Sequence, residues 1–98
     1  MQIRYRNSKI ANSCTNYSYA KKKYGVELAD RIFLRVKQLS AVNSIEELIK
    51  NSIGRCHLLK GERSGQFALD LLHPYRSIFV KVKYKFEIVE IIEIVDYH

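Results

Sequence analysis

The sequence predicts an α+β fold, with N-terminal helices packed on one face of a small, mainly antiparallel β-sheet. Apolar residues recur at helical spacing through the first half of the chain and at alternate positions through the second half, and the change of period falls at Gly54. At 98 residues the chain makes one domain, 1–98. With 47% hydrophobic residues, four Gly and one Pro, it is neither a collagen-like nor a low-complexity chain.

Ile3 and Tyr5 mark a short apolar start, read as a strand. Ile10, Cys14, Tyr17 and Tyr24 then fall four, three and seven residues apart, which is one face of a single helix ended by Gly25. Lys21, Lys22 and Lys23 lie in its last turn, where the helix dipole favours cations. A second helix is predicted over 26–40, with Leu28, Ile32, Val36 and Leu39 as its stripe and Ala29 and Phe33 widening it. Gly25 leaves so short a connection that the two helices fold back as a hairpin. Ser44-Ile45-Glu46-Glu47 is a capping box that opens a third helix over 45–51.

From Arg55 the pattern is that of strands. Residues 55–60 form the first, 61–65 a turn, and 66–72 the next, with Phe67, Leu69 and Leu71 on one face. His73-Pro74 is a turn, because proline cannot donate to a central ladder. Over 75–83, Ile78, Val80 and Val82 point one way and Ser77, Lys81 and Lys83 the other. The last segment, 86–95, places Glu87, Glu90 and Glu93 three residues apart, which suits neither a helix nor a flat strand. Six Ile and Val in those ten residues favour a strand, and a bulge near Glu90 lets both halves face the core.

Seventeen Lys and Arg against ten Asp and Glu give a net charge of +7, which favours a polyanion or an acidic partner. Two cysteines, Cys14 and Cys56, make no disulfide framework. Together with His57, His73 and His98 they show no zinc-type spacing, so no metal and no cofactor is expected. Cys56 is read as a small core side chain facing away from His57. Residues 1–6 lack the apolar segment of a secretion signal, and no run reaches the roughly 18 apolar residues of a membrane span. The expectation is a cytoplasmic protein without a membrane partner.

Residues 54–71 contain His57-Leu58-Leu59-Lys60-Gly61-Glu62-Arg63-Ser64-Gly65, followed by Tyr75-Arg76-Ser77-Ile78-Phe79 and the terminal Asp96-Tyr97-His98. These three blocks, in this order, resemble the plasmid-maintenance killer proteins, the HigB branch of the RelE toxin superfamily. The resemblance implies a RelE-like fold and a small basic endoribonuclease that cuts mRNA in the ribosomal A site. It also implies a HigA-type antitoxin with a helix-turn-helix domain that holds the toxin inactive. By the same resemblance His57 is a catalytic histidine, Asp96, Tyr97 and His98 are the essential C-terminal triplet, and Lys60 and Arg76 engage the scissile phosphate. Some HigB toxins carry an arginine where this chain has Leu72, and the N-terminal helices here are longer than in the shortest members.

The residues themselves suit that chemistry. Metal-free RNA cleavage needs a base for the 2′-hydroxyl, an acid for the leaving 5′-oxygen and positive charge around the phosphorane. His57 and His98 are proton-transfer groups, and Asp96 either orients an imidazole or acts as base. Tyr97 donates to a phosphate or stacks on a base, while Lys60, Arg63 and Arg76 neutralise charge. In an ideal strand His57 and Lys60 point to opposite faces, unless the chain bends at Gly61. A non-catalytic module whose basic sheet binds RNA or the ribosome is the alternative. The exposed faces of the first two helices, with Lys21 to Lys23, Arg31, Arg35 and Lys37, are the expected antitoxin docking surface.

Overall fold

A computed structural model of the chain describes residues 1–82 and 87–96. Lys83, Tyr97 and His98, named above, and the first residue of the strand read over 86–95 lie outside the described residues.

Strand β1 (Gln2–Tyr5) leads into α1 (Ser8–Thr15), whose first turn is capped by Asn7 accepting from the Ile10 N–H at 2.9 Å. The single helix expected over this region is broken at Asn16, and α2 (Tyr17–Tyr24) starts afresh. Asn16 has extended backbone angles, donates its N–H to Asn12 O and accepts from the Tyr19 N–H at 3.1 Å. One short amide therefore ends one helix and caps the next, the competition that makes Asn a poor interior residue. The break turns Tyr17 outward. Its ring meets Phe33 edge-on at 5.4 Å, its hydroxyl donates to Asp30 at 2.6 Å, and Ala20 becomes the buried residue of α2.

Gly25, at φ +86°, joins α2 to α3 (Val26–Ala41) as a hairpin. Leu28, Ala29, Ile32 and Leu39 of α3 are buried, close to the stripe read from sequence. Ser44 Oγ accepts from the Glu47 N–H to start α4 (Ile45–Lys50), which buries Ile45 and Leu48. A 3-10 turn, Ile53–Arg55, carries the chain into β2, reduced to His57–Leu58. After a second 3-10 turn, Gly61–Arg63, come β3 (Gln66–Asp70), β4 (Tyr75–Val82) and β5 (Ile88–Asp96).

The sheet order is β1-β5-β4-β3-β2. β2 to β5 run antiparallel to their neighbours, whereas β1 pairs in parallel with β5, Gln2 opposite Ile88 and Tyr5 opposite Ile91. Among the described residues the four helices and β2 to β4 all lie in the long connection between β1 and β5, and such a parallel pair demands a crossover. Leu69, Leu71, Phe79, Val89 and Ile91 join Ile32, Leu39 and Leu48 in one core. Phe67 stacks on Phe79, its cross-strand partner, with centroids 5.4 Å apart. Ile78, Val80 and Val82 do share a face, but it is the one turned away from the helices; Ser77 and Phe79 face the core.

The bulge in β5 lies two residues beyond Glu90. Ile78 pairs with Glu93 and Phe79 with Ile91, so Ile92 is the extra residue. It puts Ile91 and Ile94 toward the helices and brings Glu90 and Glu93 to the outer face, which resolves their awkward spacing.

Two outcomes test this packing. A Cβ on Gly54 (φ +54°) would lie 2.8 Å from Leu69 Cδ1, 2.9 Å from Arg35 Nε and 3.2 Å from Asp70 O, whereas one on Gly61 (φ +67°) meets nothing within 4 Å. Gly54→Ala should therefore cost about 2–4 kcal/mol from left-handed backbone plus overpacking, and Gly61→Ala about 1–2 kcal/mol from backbone alone, measured by urea unfolding. Burial also pushes the Cys14 thiol up to about 12 and the Cys56 thiol to about 11, from an ordinary value of 9.0. Because both folded values are raised, the unfolded chain loses these protons first. Their contribution to stability is then complete below about pH 9 and is lost as pH rises through the folded values. The urea midpoint should fall less between pH 7.5 and 10.5 in a Cys14→Ala/Cys56→Ala variant than in the parent.

Candidate functional site

The helices cover one face of the sheet, so polar chemistry collects on the other. Along one row of that outer face the register aligns His57, Ala68, Ile78 and Glu93; the next row holds Asp70, Arg76 and Val95. Ala68 and Ile78 are fully buried between their charged neighbours.

His57 is exposed at the edge of the sheet, and Cys56 before it is buried on the opposite side, as alternation requires. The His57 Nδ1 lies 2.7 Å from Arg55 O. A carbonyl oxygen only accepts, so Nδ1 carries the hydrogen and donates it. In the neutral ring Nε2 then holds the lone pair and is the atom that can take up or release a proton.

The other residues singled out by sequence are distributed unevenly. Arg63, in the Gly61–Arg63 turn, donates to Gln66 Oε1 and Glu93 Oε1, both at 2.9 Å, and so reaches across the outer face toward the row that holds His57. Arg76 lies on β4, with Nε 3.0 Å from Asp70 Oδ1. Strand spacing puts the Cα atoms of His57 and Arg76, two strand spacings and two residues apart, about 12 Å from each other. Lys60 is exposed on extended backbone just before the 3-10 turn, past the end of β2, so strand alternation no longer decides its direction. Asp96 ends β5 exposed and pairs with Tyr75, on the face opposite that of Arg76. Tyr97 and His98 lie outside the described residues.

Sequence reasoning missed two members of this surface, Asp70 and Arg55. Asp70 Oδ2 accepts from Arg55 Nε at 2.6 Å, so one carboxylate is bracketed by the guanidiniums of Arg55 and Arg76. Their positions, 15 residues apart in one case, left no local signal; Arg55 reads as the start of a strand and Asp70 as a polar strand residue.

The predicted docking surface needs a correction. Arg31 and Arg35 turn inward from α3, Arg31 Nη1 donating to Leu71 O at 3.3 Å and Arg35 Nε to Asp70 O at 2.7 Å. Burial, then the neighbouring Arg31, lower the Arg35 pKa, and Asp70 partly opposes them. These two arginines anchor α3 to the sheet because free carbonyls at the end of β3 need donors. Lys21, Lys22, Lys23 and Lys37 remain exposed. Among the described residues, no group of three or more His, Cys, Asp or Glu gathers to hold a metal, and no helix is long and apolar enough to cross a membrane.

The fold is RelE/ParE-like: helices on one face of a five-stranded sheet. Among solved structures, the chain is similar to a YoeB/ParE toxin from Agrobacterium tumefaciens, with a TM-score of 0.58 and 14% identity, covering 100% of each chain. No family model matches the sequence, and neither does any curated protein.

His57 is exposed, so His57→Ala should change unfolding free energy by no more than about 0.5 kcal/mol. Nitrogen NMR of the neutral ring should show the proton on Nδ1. A neutral ring protonated on Nε2 would mean that the contact to Arg55 O is not made in solution.

Proposed function

We propose that this chain is the toxin of a type II toxin–antitoxin system, a HigB-type endoribonuclease that cuts translated mRNA in the ribosomal A site. The observation that carries this reading is His57. Its imidazole stands exposed on the outer face of a sheet of the RelE/ParE-like kind, tethered at Nδ1 and with Nε2 left for proton transfer. The similar structure is described as a toxin, the net charge of +7 suits an RNA substrate, and the motif blocks point the same way.

In this mechanism the substrate's own 2′-hydroxyl is the nucleophile. A base removes its proton, and the oxygen attacks the adjacent phosphorus. A 2′,3′-cyclic phosphate forms as the bond to the 5′-oxygen breaks, and an acid protonates that oxygen. His57 supplies one of these proton transfers, and Asp96, Tyr97 and His98 supply the other and orient the groups. Lys60, Arg63 and Arg76 neutralise the phosphorane. Arg63 and Arg76 already face carboxylates; the part-exposed Arg63–Glu93 pair is worth only about 0–1 kcal/mol, little enough for a phosphate to displace it, while the more buried Asp70 holds Arg76 in place. The partner is a HigA-type helix-turn-helix antitoxin, and the setting is the cytoplasm. The competing reading, a non-catalytic module that binds RNA or the ribosome, predicts inhibition without cut message.

Induced expression should arrest growth and leave mRNA cut within reading frames, mapped by primer extension with and without ribosomes. Intact mRNA during full arrest would refute the nuclease and favour the binding module. His57→Ala should lower cleavage by about 10²–10⁴-fold, the usual cost of a positioned acid or base. A chain ending at Asp96, which keeps all of β5, should lose cleavage while retaining its circular dichroism.

A further inference from the structure

The chain takes a strained path into β2. Ser52, Gly54 and Arg55 are held at φ +54°, +54° and +46°, in the left-handed region that residues with a Cβ enter only at a cost. A glycine would take the last of these angles freely. Arginine stands there instead, between two well-fixed neighbours. Before it, Gly54 passes so close to Asp70 O, Arg35 and Leu69 that a side chain does not fit. After it, Cys56 is buried and donates its N–H to Ile53 O at 3.1 Å.

The Arg55 side chain supplies a third restraint. Its Nε donates to Asp70 Oδ2 at 2.6 Å, a short, charge-assisted bond. Asp70 is a firm anchor. The ladder sets it opposite Arg76, whose Nε lies 3.0 Å from Oδ1, and Arg35 Nε donates to its carbonyl at 2.7 Å. Only 24% of the Asp70 side chain stays exposed, against 72% for Arg55. The carboxylate is therefore the fixed member of the pair and the arginine the one that is held.

What this geometry directs is one carbonyl. Arg55 O receives the Nδ1 hydrogen of His57 at 2.7 Å. A free neutral imidazole favours the hydrogen on Nε2, and an acceptor at Nδ1 reverses that choice. Imidazolium carries hydrogens on both nitrogens, so the same carbonyl accepts from the ring in either charge state. The ring thus keeps one orientation while Nε2 gains and loses a proton. A carboxylate could do this by direct contact; here a neutral carbonyl does it, and the carboxylate of Asp70 acts through the arginine.

We propose that Arg55 is a positioning residue for His57: its guanidinium, tied to Asp70, holds the strained backbone whose carbonyl fixes the imidazole with Nε2 open. That this serves RNA cleavage rests on the function proposed above; the effect on the ring itself does not. A purely structural tie between the turn and β3 would change stability and leave the tautomer as it was.

The test reads the ring first and the reaction second. In the full chain, nitrogen NMR of neutral His57, assigned with His57→Gln, should show the Nδ1–H form. Arg55→Ala should lower the ratio of Nδ1–H to Nε2–H forms about tenfold, an effect between that of an exposed ion pair and that of a charge-assisted hydrogen bond. Arg55→Asn also lacks the guanidinium, but asparagine tolerates left-handed backbone, so its ratio should fall by less. Cleavage should follow the ring, with kcat about three- to tenfold lower in Arg55→Ala, a smaller loss in Arg55→Asn and KM unchanged in both. Should Arg55→Ala not fold, Arg55→Gln, which keeps the stem and loses the charge, must shift the ratio in the same direction. Arg55 does not position the ring if Arg55→Ala keeps the parent's tautomer, or if Arg55→Asn loses it as fully. A raised KM with kcat unchanged would also overturn the assignment, in favour of a direct contact with RNA. If the tautomer responds as expected and the parent chain cuts no RNA, the positioning of the ring stands and the nuclease reading is the one that falls.

Discussion

Asp70 joins three parts of the chain that fold by different local rules. Its carbonyl accepts from Arg35, 35 residues away on α3, and its carboxylate accepts from Arg55, 15 residues away at the entry to β2. The same carboxylate faces Arg76 across the β3–β4 ladder. Gly54 passes beside this knot, so close to Asp70 O, Arg35 and Leu69 that a side chain does not fit. The helical layer, the strained turn into β2 and the pair of strands are thereby fixed to one another at a single point. Because the Asp70 and Arg76 side chains keep only 24% and 23% of their exposure, removing the carboxylate would cost most at Arg76, whereas the exposed Arg55 can turn to water.

The rest of the outer face follows from the β5 bulge. Without the extra residue at Ile92, strand alternation would send Glu90 and Glu93 to opposite faces, and one would enter the core. With it, Glu93 reaches Arg63 and Glu90 reaches Arg6 on the outer side, while Ile91 and Ile94 pack against the helices. One inserted residue thus sorts the last strand into an apolar and an ionic edge, a common use of bulges beside functional surfaces.

The ionic pairs also decide where the positive charge is felt. Arg6, Arg55, Arg63 and Arg76 each face a carboxylate, while Arg31 and Arg35 bond to backbone oxygens at the end of β3. Lys21, Lys22, Lys23, Lys37 and Lys60 remain exposed. Paired arginines keep a fixed geometry and still recognise phosphate, whereas exposed lysines act as mobile point charges. A fold shared at 14% identity with a YoeB/ParE toxin leaves such side chains free to differ, because a core needs only apolar residues of about the right volume in the right pattern.

What the sequence determined by itself is whatever depends on neighbours a few residues apart. The stripe of α3, the Ser44 cap, the turn at Gly25, the strand character of the second half and the burial of Cys56 behind His57 are all energetics of adjacent turns or alternate positions. His57, Arg63 and Arg76 stood out in the sequence because they sit in short motifs with a recognisable order. Only the tertiary structure decided the break at Asn16, the parallel pairing of β1 with β5, the inward turn of Arg31 and Arg35, and the meeting of Arg55 with Asp70. The break is a near balance between a continuing helix and a capping amide, which periodicity cannot resolve. The other three join groups far apart in the chain, and what pairs them is strand register and the need of end-of-strand carbonyls and buried charges for partners, neither of which leaves a mark on nearby residues.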